Sequence, residues 1–213
     1  MKKIVILCAG DFGKEILWLI EDINAIKPTY EIIGFLDDDD SKIGKEYNGY
    51  KCIGKINMLK VLSEEENICA TIATQESKYR KKFVDDNPDF QNWESLIHPT
   101  ANISNTSKIG EGCIVCANSN ISVNTNIGNH CILNLGVTIG HDCEIGDYVS
   151  FMSGVVISGH VSIKDSAYFG SNSTVVPGRK IGENSKVGAG SVAIRNVKDN
   201  VTVMGVPAKV LGI

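Results

Sequence analysis

An aliphatic or phenyl side chain recurs at every sixth position of this chain between residues 97 and 187. A period of six matches neither the 3.6 residues of a helical turn nor the alternation of a hairpin strand. It is typical of a parallel β-helix, in which short strands joined by tight corners wrap around a packed interior. Because such a prism has no internal pocket, its chemistry must lie on its outer surface. The recurring residues are Ile97, Ile103, Ile109, Val115, Ile121, Ile127, Leu133, Ile139, Ile145, Phe151, Ile157, Ile163, Phe169, Val175, Ile181 and Val187.

Six residues form one side of this prism, and three sides form one coil. Positions i and i + 18 then stack at the spacing of adjacent strands, roughly 4.8 Å. We therefore expect Cys113 to stack on Cys131 and Phe151 on Phe169 inside the prism, with Gly140 relieving the crowding at a corner. A slim residue follows four positions after each recurring residue, apart from Arg179, which suits a narrow interior. The unbroken period predicts no long insertion between residues 97 and 192.

Charge and hydropathy exclude two classes of partner. The 213-residue chain is 43% hydrophobic and has a net charge of -4, and its densest basic run is residues 80–82. Nucleic acid and anionic membranes are therefore poor partners. The apolar run at residues 4–8 is too short for a secretory leader, and no stretch approaches the ~18 apolar residues of a membrane span. We expect a cytoplasmic protein.

The cysteines suit a reducing compartment, because seven of them, an odd number, are spread along the chain. Cys113 and Cys116 form a lone Cys-x-x-Cys pair, a spacing known from metal and redox sites. Cys113 falls on an inward position and Cys116 on a corner, so their side chains point in different directions. We expect both to be buried, reduced fillers of the interior, and we expect no metal cofactor.

Residues 1–94 lack the period of six and form a separate predicted domain before the solenoid at residues 95–213. They predict a strand at 3–7, a glycine turn at 8–13, a helix at 14–26 and a strand at 31–36 that ends in four aspartates. A third strand at 68–73 and a helix at 77–84 follow. Strand, glycine turn, helix, strand and acid is the order of a small α/β Rossmann-like domain.

The glycine turn and the aspartates are the candidate nucleotide site. A turn at a helix N-terminus can bind phosphate through backbone amides, which points to Gly10, Asp11, Phe12 and Gly13. The acids that follow the second strand can accept hydrogen bonds from a ribose or base, which points to Asp37 and Asp38; the alternative is a solvated turn. Cys8 stands where the dinucleotide fingerprint has its first glycine. This departure and the small domain favour a mononucleotide or a nucleotide sugar.

Both parts together resemble one family, the bacterial sugar acetyltransferases of the sialic-acid O-acetyltransferase and UDP-4-amino-sugar N-acetyltransferase type. The resemblance covers nearly the whole chain and rests on the turn at 8–13, Gly-Phe-Leu-Asp-Asp at 34–38 and Ile-His-Pro-Thr-Ala at 97–101. It also rests on Asn-Leu-Gly-Val-Thr-Ile-Gly-His-Asp at 134–142 and Gly-Val-Pro-Ala-Lys at 205–209. It implies an acetyl-CoA-dependent acetyltransferase, with a left-handed β-helix of hexapeptide repeats after the α/β domain.

The resemblance also implies how such an enzyme is assembled. In the family, a homotrimer binds acetyl-CoA in grooves between neighbouring β-helices, and the N-terminal domain holds the sugar nucleotide. The likeness assigns Ser150, Gly159, Pro207 and Lys209 to the cofactor site. Ser150 replaces a histidine that some members have nine residues after the catalytic one, and Cys8 replaces the usual glycine of the turn. Sugar and cofactor contacts are therefore expected to differ in detail.

Four histidines are available as a general base. His98 adjoins a proline at the domain boundary and is expected to be structural, while His130 and His160 fall on the fourth position of their repeats and are expected to face solvent. His141 falls on the third position, near a corner, and with Asp142 it matches the family's histidine–acid dipeptide. A neutral imidazole can take the proton of an attacking amine or hydroxyl. The adjacent carboxylate can orient it and stabilise the imidazolium.

Two further residues join this candidate site. The resemblance assigns Asn134 a supporting role seven residues before His141. Gly159 occupies the same repeat position as His141 one coil along, where its amide could donate to the thioester oxygen. The alternative is an ordinary corner glycine. We expect direct transfer in a ternary complex, without an acyl-enzyme.

Three functions stay open at this point. The leading one is acetylation of a nucleotide-linked amino sugar on nitrogen, or of sialic acid on oxygen. The second is acyl transfer to another small acceptor, such as an amino acid, and the third is a noncatalytic or metal-dependent β-helix. A metal site would need several histidines. His141 and His160 fall one position out of stacking register, so we expect a poor zinc site.

Overall fold

The computed structural model describes residues 1–64 and 68–211, which form two compact units, Met1–Pro99 and Thr100–Ile213. The first is an α/β unit and the second is a left-handed parallel β-helix, which confirms the predicted fold class. Among the described residues, no helix combines the length and the apolar character needed to cross a membrane.

The N-terminal unit is built around a sheet that is mostly parallel. Its elements are β1 (Lys2–Leu7), α1 (Asp11–Ile26), β2 (Tyr30–Leu36), β3 (Glu46–Tyr47), β4 (Tyr50–Gly54), a 3-10 turn (Ile56–Met58), α2 (Leu59–Leu62), β5 (Ile68–Ile72) and α3 (Ser77–Asp85). The strand order is β3-β4-β2-β1-β5. β1 pairs in parallel with β2 and β5, β2 pairs in parallel with β4, and β3 forms a short antiparallel hairpin with β4.

The burial pattern explains why the first predicted elements form. Residues 4–7 of β1 are fully buried, because this strand lies between β2 and β5. Helix α1 buries an apolar stripe that contains Ile16, Leu17 and Ile20, the spacing of one helical face. The helix begins at Asp11, three residues earlier than predicted, so Asp11, Phe12 and Gly13 lie in its first turn.

Gly13 is the point at which α1 packs most closely on the preceding turn. A Cβ at this position would overlap the carbonyl oxygen of Cys8, a backbone atom, whereas a Cβ at Gly10 would meet nothing within 4 Å. We expect Gly13→Ala to lower the free energy of unfolding by about 1–3 kcal/mol, as overpacking does. Urea unfolding would measure the loss, with Gly10→Ala as the matched control. Equal stability of the two variants would contradict this packing.

Two-residue strands recur through the repeat region, one in each repeat of six residues. They are β6 (Leu96–Ile97), β7 (Asn102–Ile103), β8 (Lys108–Ile109), β9 (Ile114–Val115), β10 (Asn120–Ile121), β11 (Asn126–Ile127), β12 (Ile132–Leu133), β13 (Thr138–Ile139), β14 (Glu144–Ile145), β15 (Ser150–Phe151), β16 (Val156–Ile157), β17 (Ser162–Ile163), β18 (Tyr168–Phe169), β19 (Thr174–Val175), β20 (Lys180–Ile181), β21 (Lys186–Val187) and β22 (Val192–Ala193). The longer strands β23 (Thr202–Gly205) and β24 (Ala208–Val210) follow them.

The strands of the solenoid pair in the predicted register. From β7 to β22, every third strand pairs in parallel, and the partners are one coil apart in the sequence, as are Asn120 and Thr138. The rings of Phe151 and Phe169 stack with centroids 5.0 Å apart and planes 13° apart. Cys113 and Cys131 are fully buried, as expected for interior positions. These observations confirm a coil of three six-residue sides.

Two details of the coil differ from expectation. Ile97, the first residue of the periodic series, is 39% exposed and belongs to the N-terminal unit, so it does not fill the prism. Gly140, at the second position, has the crowded surroundings predicted for it, since a Cβ there would lie 2.6 Å from the amide nitrogen of Gly159. The left-handed turn of the backbone, however, occurs at the fourth position of the repeat. Left-handed φ values between 53° and 59° occur there at Asn118, Asn124, His130, Asp142, Tyr148, His160, Ser166, Asn172 and Asn184.

The last coil is shorter than the others. Lys186 pairs with Thr202 and Val187 with Val203, so each partner is two positions nearer in the sequence than in a full coil. Strand β24 then folds back antiparallel on β23 after the cis peptide bond between Val206 and Pro207. This sheet, one of the three in the solenoid, therefore ends in a hairpin.

Candidate active site

The His141–Asp142 dipeptide forms a hydrogen-bonded pair at a corner of the solenoid. The corner follows β13, and Asp142 has a φ of 55°. Its Oδ2 lies 2.8 Å from Nδ1 of His141, while its Oδ1 accepts a hydrogen bond of 3.2 Å from Nδ2 of Asn124. The hydrogen bonds from His141 and Asn124 hold the pKa of Asp142 below its usual range. The short aspartate arm thus reaches the imidazole, and it does so as a carboxylate.

His160 lies beside this pair, although its distance from His141 in the sequence argued against it. The rings of His141 and His160 meet edge to face, with centroids 4.9 Å apart. Nε2 of His160 is 4.0 Å from Oδ2 of Asp142. The signal was present in the sequence, because His160 follows Asp142 by one full coil and Asn124 precedes it by one full coil. Asn124, Asp142 and His160 thus stack in register along one edge, and the imidazole of His141 contacts Asp142 and His160 from the side.

Gly159 makes room for the His141 ring. A Cβ at Gly159 would lie 2.5 Å from Nε2 and 2.6 Å from Cε1 of that ring. The two residues are thus stacked, as their shared repeat position predicts, and the imidazole covers the glycine. The glycine is required by contact with the ring and is more than an ordinary corner residue.

The edge of the prism that carries Gly159 differs from a neighbouring edge in the hydrogen bonds made by the backbone amides at the third repeat position. On that other edge, the amides of Asn129 and Asp147 donate to side chains one coil along, to Asp147 at 2.7 Å and to Asp165 at 2.9 Å. The residue one coil after Gly159 is Pro177, whose side chain has no acceptor. Pro177 therefore cannot cap the Gly159 amide in the way that the aspartates cap the other edge.

Asn134 is placed apart from the pair. Its side chain is 5% exposed, its Oδ1 accepts a 2.7 Å hydrogen bond from the amide of Leu135, and its carbonyl accepts one of 3.0 Å from Ser119 Oγ. Within the described chain, its side chain is bonded to its own corner and not to His141 or Asp142. It stabilises the backbone one side before the pair.

The glycine turn of the N-terminal unit is closed by Asp37. This buried carboxylate accepts hydrogen bonds of 2.8 Å from the amide of Ala9 and from Nζ of Lys42. Cys8 has a φ of 80°, a conformation that favours the glycine usual there in the family. Burial, and secondarily Asp37, raise the pKa of the Cys8 thiol to about 12. Asp37 thus holds the turn in place.

The other predicted nucleotide contacts lie around this turn. Gly10 is the N-cap of α1 and provides no side-chain cap. Asp11 is exposed and forms an ion pair with Lys14, while Phe12 is half-buried. Asp38 is exposed and accepts a 3.1 Å hydrogen bond from the amide of Ile56. The structure therefore brings the turn and Asp37 together, with Asp38 directed to the 3-10 turn.

The predicted cofactor residues divide into two groups. Ser150 is 1% exposed within strand β15. Pro207 and Lys209 lie exposed in the C-terminal hairpin. Lys209 lines a cavity of about 230 Å³ with Arg195, Asn196 and several apolar residues. Neither Gly159 nor His141 lines this cavity.

Comparison with known proteins identifies the family. The sequence model of the PglD N-terminal domain matches residues 3–116, more than half of the chain, and that of the hexapeptide repeat of succinyl-transferase matches residues 160–193. The chain belongs to the bacterial sugar acetyltransferases with hexapeptide repeats. It is an enzyme of the acetyl-CoA-dependent acyltransferase class. No curated protein sequence matches this chain in a direct search.

Three solved structures of such enzymes are similar over their whole length. The acetyltransferase domain of PglB from Neisseria gonorrhoeae FA1090, in complex with acetyl coenzyme A, is 29% identical with a TM-score of 0.90, and 99% of each chain is covered. PerB from Caulobacter crescentus, in complex with CoA and GDP-perosamine, is 30% identical with a TM-score of 0.88 over 100% of this chain and 98% of PerB. WeeI from Acinetobacter baumannii AYE is 30% identical with a TM-score of 0.87 over 99% of this chain and 100% of WeeI.

His130 is buried, whereas its repeat position predicts that it faces solvent. It is 2% exposed instead of facing solvent, and its ring stacks on Tyr148 with centroids 5.2 Å apart and planes 9° apart. Tyr148 lies one coil later, and Gly112, one coil earlier, leaves space that a Cβ would fill. The imidazole is thus enclosed by the coils on each side of it.

The Cys-x-x-Cys pair has the structural role expected of it. Cys113 is fully buried and Cys116 is 5% exposed. The thiol of Cys113 donates to the carbonyl of Gly128. His98, the fourth histidine, is also structural, since its Nε2 is 2.9 Å from Oδ2 of Asp22.

Proposed function

We propose that this enzyme transfers the acetyl group of acetyl-CoA to the amino group of a nucleotide-linked sugar. The observation that carries the proposal is the exposed His141–Asp142 pair stacked on Gly159. The family supplies the reaction class, and PerB, which binds CoA and GDP-perosamine, supplies the example of a nucleotide-linked acceptor. Transfer is direct, in a ternary complex, and the thioester carbonyl is attacked by the sugar amine.

His141 is the general base in this proposal. With Nδ1 donating its hydrogen to Asp142, the neutral imidazole has its lone pair on Nε2. This atom takes the proton that the amine loses as the C–N bond forms. The carboxylate of Asp142 fixes the tautomer and stabilises the imidazolium, while Asn124 restrains the carboxylate. Asn134 supports the adjacent side of the coil.

Gly159 is the proposed electrophilic partner of the base. As the amine attacks, negative charge builds on the thioester oxygen, and a fixed amide donor stabilises it. The amide of Gly159 suits this role, because Pro177 one coil along cannot cap it in the way that Asp165 caps Asp147. Collapse of the tetrahedral intermediate releases the CoA thiolate, which is protonated to the free thiol.

The N-terminal unit is the proposed site for the nucleotide. The amides at the start of α1, around Gly10 and Phe12, are the proposed hydrogen-bond donors to its phosphate, because the first amides of a helix lack partners within the helix. Asp38 is the exposed acid that can contact the ribose or base, whereas Asp37 acts by holding the turn closed. Gly13 keeps the helix close to the strand.

The C-terminal region is the proposed site for the polar part of acetyl-CoA. Arg195 and Lys209 line its cavity, and two cations suit the phosphates of the cofactor. Pro207, which is exposed in the same hairpin, belongs to this proposed site, whereas Ser150 is 1% exposed and offers the cofactor no surface. We further propose a homotrimer, because Val123, one coil before His141, and Leu135 expose apolar surface at the corners, 46% and 39% respectively. A cytoplasmic location is proposed from the seven free cysteines.

A substrate panel tests the function. We expect release of free CoA thiol with nucleotide-linked amino sugars and acetyl-CoA, and mass spectrometry should find the acetyl group on the sugar nitrogen. The same nucleotide sugars with a hydroxyl in place of the amine are the matched controls, and we expect no thiol release with them. Equal turnover of the hydroxyl compounds would overturn N-acetylation. Equal turnover of unlinked amino sugars or amino acids would overturn the nucleotide requirement.

A further inference from the structure

We propose that His141, Asp142 and His160 form a binding site for a divalent transition-metal ion such as Zn²⁺, and that the ion acts as an inhibitor of the enzyme. The binding site rests on the geometry of the three side chains. The inhibition rests, in addition, on the proposed role of His141 as base.

The three side chains offer ligands of the right kind at nearly the right separation. Two imidazole nitrogens and one carboxylate oxygen lie within 4.8 Å of one another. Tetrahedral Zn²⁺ with bonds of ~2.0–2.2 Å places its ligand atoms roughly 3.3 Å apart. Oδ2 of Asp142 is 2.8 Å from Nδ1 of His141 and 4.0 Å from Nε2 of His160, so one distance is slightly shorter and the other slightly longer than this separation. Small rotations of three exposed side chains bring all of them to an ion, which keeps a fourth position for water.

The backbone beneath these side chains is held by the ladder of the solenoid. The amide of His160 donates to the carbonyl of His141 at 2.9 Å, and the amide of Asp142 donates to the carbonyl of Val123 at 3.0 Å. The ligands therefore come from two adjacent coils whose spacing is fixed. The backbone that carries them is therefore ordered before an ion arrives, which lowers the ordering cost of binding.

The surroundings also restrain the ligand atoms. Nδ2 of Asn124 bonds Oδ1 of Asp142, which leaves Oδ2 as the oxygen that faces both imidazoles. Outer hydrogen bonds of this kind orient metal ligands and strengthen binding. The Gly159 surface beneath the His141 ring limits how far that ring can turn away.

A bound ion would separate His141 from its orienting carboxylate. Nδ1 of His141 and Oδ2 of Asp142 would bond the metal instead of each other, so the ring would lose the tautomer and the position needed at Nε2. The metal therefore competes with catalysis, and it is not required for it.

Metal binding by the intact protein tests the proposal directly. Titration with Co²⁺, followed by its visible absorption, and competition by Zn²⁺ should show one ion bound per chain. His160→Asn should raise the dissociation constant by at least about tenfold, since it removes one ligand. The change suits the fold, because Asn118, Asn124, Asn172 and Asn184 occupy the same repeat position with similar left-handed φ values. Ser166→Asn, at that position six residues later, is the matched control and should bind as the wild type does.

The outcomes separate the site from its effect. Absence of stoichiometric binding, or equal affinity in wild type and His160→Asn, would overturn the site. Stimulation of turnover by Zn²⁺ would overturn the inhibitory role. If Zn²⁺ binds, His160→Asn weakens it and turnover does not change, the site is upheld, and the proposed role of His141 as base is wrong.

Discussion

Replacement of His141 by alanine should lower turnover by roughly 10²- to 10⁴-fold, the range expected for loss of a general base. The imidazole is hydrogen bonded to an ionised carboxylate, exposed at a corner and stacked on a glycine, so it is placed to act on a substrate proton. Acetyl-CoA affinity should change little, because the ring handles the proton of the acceptor. Steady-state turnover and isothermal titration with CoA measure the two effects.

The comparison variant for this experiment is Ser171→Ala. Ser171 occupies the same third position of its repeat on a different edge of the prism and is exposed, so its loss should leave turnover near that of the wild type. Near-normal turnover of His141→Ala would mean that the amine arrives deprotonated and that the ring only positions it. Joint loss of CoA binding and of the proposed trimer, the latter measured by light scattering, would instead make His141 a structural residue.

Gly159→Ala should also lower turnover, by roughly 10²-fold, because displacement of a catalytic group by about 1 Å has effects of this size. A new Cβ would meet Nε2 and Cε1 of the His141 ring at 2.5 and 2.6 Å, so the ring must move. The His141 side chain is exposed and can rotate toward solvent. The substitution should therefore change the free energy of unfolding by no more than about 0.5 kcal/mol. The expected result is an enzyme of ordinary stability whose turnover is lowered roughly 10²-fold.

Turnover and thermal unfolding on the same preparation test this separation. Ser171→Ala again serves as the control, since it places an alanine at the equivalent repeat position away from the His141 ring. A variant with wild-type turnover would show that the ring contact has no catalytic consequence. A variant that unfolds readily would show that the contact supports the coil and not the chemistry.

The repeat region was predictable because its stability depends on local, repeated packing. Each coil buries the same inward positions, so the stacking of Phe151 on Phe169 follows from the period alone. The resemblance to the family, and not the period, identifies the His141–Asp142 dipeptide as the candidate catalytic pair. The sequence could not say whether the aspartate reaches the ring, because that depends on the left-handed turn at Asp142 and on the side-chain amide of Asn124.

The expectations for His160 and His130 fail because both depend on contacts between side chains of successive coils. His160 is one position out of register with His141, but it is in register with Asp142, one coil earlier. The repeat position of His130 predicts exposure to solvent, whereas Gly112 and Tyr148, one coil to each side, enclose the ring. Both errors concern stacking between successive coils on the outer corners, where the repeat sets position but the neighbouring side chains set burial.

The N-terminal unit was less predictable, because its contacts are long-range. Its first strand and helix follow from local apolar patterns, but strands β3 and β4 add to the sheet only through pairing of β4 with β2. Asp37 was expected to meet a ribose, and it instead closes the turn through Ala9 and Lys42. A glycine turn that departs from the usual sequence at Cys8 is thus supported by a buried acid.

The hairpin at the end of the solenoid bears on how the protein stays in solution. A stack of parallel strands would present unpaired amides and carbonyls at its last coil, and such an edge can recruit another chain and grow into fibres. The shortened coil ends that stack, and β24 folds back on β23 to use its pairing groups within the same molecule. The outer strand contains Lys209, and Pro207, which lacks an amide hydrogen, lies just before it. Both residues disfavour further strand addition, so the hairpin protects the end of this sheet, one of the three in the solenoid.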